Sequence, residues 1–178
     1  NMIDQKMIMR LSKFWSNHFE IQLTKRPKVN AVRGNLHLGE KNFTSYSDNK
    51  EWNIYRTFFF YWNKNNSVDE TLTKDISIEL HKFRNKIQGF NESKGLEYSP
   101  DGYGTYLSIS HYQPNKGFLR THEDAHDGHP ILQYMVNLTF KNSDYQGGGL
   151  HIIKNDEKID IDSRLKPGSV IFFYGNIS

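Results

Sequence analysis

The chain has 178 residues and a mass of 20.9 kDa, which bounds it to one domain or two very small ones. Hydrophobic residues make up 36% and aromatics 14%, enough for a sizeable core, so general disorder is excluded. Cysteine is absent, which excludes a disulfide scaffold, a thiolate metal site, an iron–sulfur centre and a cysteine nucleophile. The formal net charge of +3 is spread out: residues 1–110 carry 16 basic and 12 acidic groups, residues 111–178 carry 7 and 8. No basic tract marks a nucleic-acid surface. No run of 18 apolar residues predicts a membrane span, and the disulfide-free chain suits the cytosol.

In chain order, residues 3–20 space Ile8, Leu11, Phe14, Trp15 and Phe19 as a helix does. From Ile21 to Leu38 the pattern changes toward short extended pieces interrupted by Pro27 and Gly34. Asn53 to Trp62 is densely aromatic and predicts a strand. Asp75 to Phe90 predicts the best helix, with Ile76, Leu80, Phe83, Ile87 and Phe90 forming one apolar stripe. Thr73 or Asp75 would cap its start, Gly89 its end, and His81 falls among polar, solvated positions. Residues 91–104 read as a loop. Thereafter short strands follow: Tyr106 to Tyr112, Ile131 to Phe140, Gly149 to Ile153, Ile159 to Ile161 and Ser169 to Tyr174. No helix separates them, which predicts an antiparallel sandwich or barrel with helices packed outside. The sequence stops at Ser178, just after an apolar strand, so the chain is read as ending short of a complete domain.

Chemistry concentrates at residues 117–129, which hold three of the eight histidines. In an extended segment, residues i and i+2 point the same way, so His122 and Asp124 can converge on one ion. Imidazole plus carboxylate suits a borderline divalent metal, and a facial triad would add one distant histidine. Taken alone, a His-x-Asp triplet in a polar loop is weak evidence. His126, Asp127 and His129 read equally well as solvated loop residues.

Residues 109–178 resemble the double-stranded β-helix core of the Fe(II)/2-oxoglutarate-dependent oxygenases, in their prolyl-4-hydroxylase-like branch. The resemblance rests on Tyr112, Gly117, Phe118-Leu119 and His122-Glu123-Asp124, then Asn137-Leu138-Thr139, Gly147 to Leu150, and Pro167-Gly168 before the strand Ser169 to Phe173. It implies a mainly β fold with flanking helices around a jelly-roll, cupin-like core. It implies one oxygenase domain, incomplete at its C-terminus, with variable elements over 1–104 and a partial core over 105–178. The implied activity is hydroxylation of an amino acid, a peptidyl residue or a small natural product. Fe(II) would be held by His122 and Asp124, with 2-oxoglutarate and O2 as cosubstrates. Tyr112 and Asn137 would contact 2-oxoglutarate, Arg120 would face the substrate, and Leu150, Val170 and Phe172 would line the barrel. The distal histidine and the basic residue for 2-oxoglutarate would follow Ser178. The alternatives are a halogenase using His126-Asp127-Gly128, a non-catalytic cupin-like or lectin-like binding module, and a zinc hydrolase. The zinc hydrolase lacks its His-Glu-x-x-His helix.

Overall fold

Nine residues from Trp52 to Phe60 form the strand on which one half of the molecule is built, and all but Trp52 and Arg56 of them are buried. A computed structural model describes residues 3–25, 42–65, 67–97, 105–124, 132–166 and 168–174. Its elements are α1 (Gln5–Lys25), β1 (Phe43–Asp48), β2 (Trp52–Phe60), α2 (Val68–Ile87), β3 (Tyr106–His111), β4 (Phe118–Leu119), β5 (Leu132–Val136), β6 (His151–Lys154), β7 (Glu157–Asp160) and β8 (Val170–Tyr174). The chain divides into two compact units, residues 15–120 and residues 1–14 with 121–178.

In the unit 15–120, β2 pairs antiparallel with β1, β3 and β4. Side chains alternate across the sheet, so Tyr55, Thr57 and Phe59 share one face with His111, Ile109 and Leu107. The helices cover this face. Trp15 meets Phe59 edge-on at 5.3 Å, Phe19 stacks on His111 at 4.9 Å, and the Trp15 indole donates to Thr73 at 3.0 Å. The aromatic run thus serves as core, which is why it tolerates so little exposure.

Helix α2 starts seven residues before the expected Asp75. Ser67, in extended backbone, accepts from the Glu70 amide at 3.1 Å and caps the helix in place of Thr73 or Asp75. Its buried face also differs from the expected apolar stripe. Thr73, Lys74, Ser77, Leu80, His81 and Asn85 are buried, whereas Phe83 and Ile87 are exposed. Polar groups occupy this interface because each finds a partner: Ser77 bonds the Tyr61 hydroxyl at 2.7 Å, and Lys74 donates to the Asn63 carbonyl at 2.6 Å. His81 is fully buried rather than solvated, with one ring nitrogen 2.7 Å from the Lys94 carbonyl. Residues 21–25, expected to turn extended, continue α1, and 26–41 lie outside the described residues.

The other unit holds two antiparallel ladders, β5 with β8 and β6 with β7. These are the strands that the sequence predicted, with bounds that differ by a few residues: β5 and β8 are shorter, β6 is shifted, and β7 starts earlier, at Glu157. They do not form the expected jelly-roll. The described sheets have four, two and two strands, each is open, and none closes into a barrel. The fold is mixed α/β, with small sheets. The physical reason is the pairing: β6 and β7 pair with each other as a local hairpin, and β5 pairs with the distant β8, so the four strands form two separate ladders. Leu150, Val170 and Phe172, expected to line a barrel interior, are only partly buried. Leu150 instead uses its amide to bond Asp162 at 2.8 Å, and Phe172 sits 6.2 Å from Tyr134 across the β5–β8 pair.

Candidate functional site around His122 and Asp124

Before the site in the chain comes a tight turn. The Gly117 amide donates to the Gln113 carbonyl at 2.8 Å, and a Cβ on Gly117 would fall 2.5–2.7 Å from backbone atoms of Gln113 and Tyr112. Only glycine fits there. Strand β4 follows, pairing Phe118 and Leu119 with Asn53 and Trp52, and the Arg120 amide closes the run on the Glu51 carbonyl at 2.9 Å. Residues 121–124 then leave the ladder.

His122 and Asp124 come together as their spacing predicts, with imidazole Nε2 3.3 Å from Asp124 Oδ1. Gln133 on β5 donates its side-chain amide to Asp124 Oδ2 at 2.8 Å. One carboxylate therefore bridges an imidazole and a carboxamide. The side chains of His122 and Asp124 are 48% and 35% exposed, so this cluster faces water. Beside it, the Thr121 hydroxyl lies 3.2 Å from His151 Nε2.

The remaining expected residues have other surroundings. Asn137 donates to Asp162 Oδ1 at 2.8 Å. Asp162 is buried and also accepts from the Tyr145 hydroxyl and the Leu150 amide. This hub holds Gly149, whose positive φ of 96° and closeness to Asp162 leave no room for a Cβ. Burial and the Asp162 carboxylate push the Tyr145 phenol well above its ordinary range. Asn137 is thus held by a structural network. Tyr112 and Arg120 belong to the unit 15–120. Desolvation raises the Tyr112 phenol, and the Arg56 charge partly offsets this. Arg120 is exposed.

The iron centre is not built by these residues. Among the described residues no three His, Asp or Glu side chains gather as a metal ion requires. Asp124 spends its oxygens on His122 and Gln133 instead. The expected Fe(II) site, and with it chelation of 2-oxoglutarate and activation of O2, is therefore corrected, as are the hydroxylase, halogenase and cupin-like readings. His126, Asp127 and Gly128, on which the halogenase reading rested, lie outside the described residues.

Sequence reasoning missed Gln133 and Asp162, and neither carries a local signal: each acquires its role from a partner 9 or 25 residues away. It also missed a polar cavity of about 260 Å3 in the unit 15–120, lined by His18, Gln22, Thr44, Thr57, Phe59 and Glu70 among others. There His18 Nε2 lies 3.2 Å from the hydroxyls of both Thr44 and Thr57, which are 2.8 Å apart. None of the expected site residues lines this cavity. Comparison with protein-family models, with curated proteins and with solved structures found no match to this chain. The resemblance to the oxygenases therefore rests on the quoted motifs alone, and the open sheets and the missing ligand cluster overturn it.

Proposed function

We propose that this protein binds a small-molecule or peptidyl ligand through the Asp124 carboxylate, with His122 and Gln133 as positioning residues. The observation that carries this reading is the bridging of Asp124 by His122 Nε2 and the Gln133 amide. A carboxylate has about four lone-pair sites, and two neighbours orient it without exhausting them. An acceptor of this kind, partly exposed and anionic, selects a donor group such as a primary ammonium or an amide N–H. The spread of basic residues gives no support to a nucleic-acid partner. No described helix is long and apolar enough to cross a membrane. The cysteine-free sequence supports a cytosolic setting.

The test is a titration of the isotope-labelled chain with glycinamide, which carries both donor types. Saturable shifts of the His122 ring and Gln133 side-chain resonances are expected. Asp124→Asn should weaken binding by about tenfold or more, the value of a charge-assisted hydrogen bond. Absence of saturable shifts, or unchanged affinity in the variant, would remove the site.

A further inference from the structure

The face of the sheet opposite the helices carries an arginine that needs a partner. Arg56 sits at the middle of β2, directly across from Ser45 on β1 and Ser110 on β3. The next row on the same face holds Phe43, Phe58 and Ser108. Arg56 Nε and the Ser108 hydroxyl are both enclosed, and neither has a hydrogen-bond partner among the described residues. No carboxylate among the described residues stands within ion-pair distance of Arg56. An enclosed guanidinium N–H left without a hydrogen-bond partner costs free energy, and native proteins rarely leave one so. Tyr112 senses the Arg56 charge, which lowers its phenol pKa against the larger upward effect of desolvation. Guanidinium and hydroxyl groups on one face supply donors, with no compensating carboxylate among the described residues.

We propose that this face of the β1–β2–β3 sheet binds a small oxyanion, a carboxylate or a phosphate, with Arg56 as its principal donor and Ser108 as a second. The guanidinium fork matches either group in a two-point bond, and a serine hydroxyl donates beside it. Phe43 and Phe58, stacked at 5.0 Å, form the apolar border of the site. This site is independent of the one at Asp124. It prefers the opposite charge and belongs to a different unit.

The experiment is thermal unfolding of the full chain in sodium phosphate, sodium acetate or sodium chloride at one ionic strength and pH. A ligand that binds only the folded state raises the midpoint with concentration. A rise in phosphate or acetate beyond chloride is expected. Phosphate alone identifies a phosphate site, acetate alone a carboxylate site, and both a general oxyanion site. Arg56→Gln should abolish the difference. Ser108→Ala, a smaller change that keeps the fold, should reduce it. A midpoint indifferent to the anion, or an equal response in Arg56→Gln and wild type, would overturn the proposal. The glycinamide titration at Asp124 reads a different ligand, so failure of one leaves the other standing.

Discussion

His81 shows how much one buried side chain decides. Burial is the main reason that its pKa falls to about 4, and the nearby Arg84 charge adds to this against the favourable Lys94 carbonyl. The neutral ring donates from Nε2 to that carbonyl, and Arg84 Nη2 lies 3.0 Å from Nε2 and 3.4 Å from Nδ1. Protonation would place a second positive charge against that guanidinium. Asn85, fully buried beside it, donates to the carbonyls of Asn91, Glu92 and Lys94, so the same pair of residues holds the loop after α2. The folded-state pKa lies below the unfolded value of about 6.5, so the unfolded chain binds more protons between them. Stability is then complete above about pH 6.5 and declines as pH falls toward 4, by up to about 3 kcal/mol. Urea unfolding at pH 7 and pH 4.5 should show this loss in wild type and a smaller one in His81→Gln. Equal pH dependence in both would assign the acid sensitivity elsewhere. A second residue-scale expectation concerns two glycines. Gly89→Ala meets no atom within 4 Å and suffers only its positive φ of 71°, at about 1 kcal/mol. Gly117→Ala collides with backbone that cannot swing aside and should cost more, about 2–3 kcal/mol. Chemical denaturation of both variants orders them.

Among the elements, α2 explains why part of the fold was legible in the sequence and part was not. Its existence follows from helical periodicity, and α1 was legible in its face, since Ile8, Leu11, Trp15 and Phe19 are buried and Phe14 partly so, but not in its end, which runs on to Lys25. For α2 the apolar stripe pointed to the wrong side. Phe83 and Ile87 are exposed, while Thr73, Ser77, His81 and Asn85 go inward because tertiary partners satisfy each of them. Hydrophobic spacing reports transfer free energy and is blind to such partners. The positions of β2, β3 and β5 to β8 were legible from turn residues and branched or aromatic runs, whereas β1, β4 and the pairing of the strands were not. Alternation does not say which strand is the neighbour, and β6 with β7 closes locally instead of joining a larger sheet. At the site, the spacing of His122 and Asp124 announced their approach, whereas Gln133 was invisible because its bond spans nine residues. The cap gives an element-scale test. Ser67→Ala removes the acceptor for the Glu70 amide and should cost about 1 kcal/mol, with helix content otherwise retained. Asp69 and Glu70 in the first turn, and Arg84 and Lys86 in the last, complement the helix dipole and keep α2 formed in the variant. A loss below a few tenths of a kcal/mol in a denaturant titration would show that the cap is not needed.

For the molecule as a whole, the two units differ in how they are held. The unit 15–120 is built around β2, seven of whose nine residues are buried, under a layer in which Trp15, Phe19, Phe59 and His111 contact one another. Its strand is paired on both sides, so opening it breaks two ladders at once. In the other unit, β6 and β7 form a hairpin of four-residue strands, with Ile152 and Ile153 about half exposed and only β7's last two residues, with His151, partly buried. Two-stranded ribbons gain little from burial and are marginal by themselves. Local opening energies track buried apolar contact and the exposure of backbone hydrogen bonds. Amide hydrogen exchange should therefore be slowest along β2 and its partners in β1 and β3, and fastest in the β6–β7 hairpin. The Asp162 hub should create a protected island beside that hairpin, because the Leu150 amide bonds a buried carboxylate that Asn137 and Tyr145 also hold. Asp162→Asn keeps the shape and removes the charge, so it should speed exchange at Leu150 and in β7 while leaving β2 unchanged. Exchange that accelerates uniformly across both units in this variant would mean that they open as one cooperative body rather than separately.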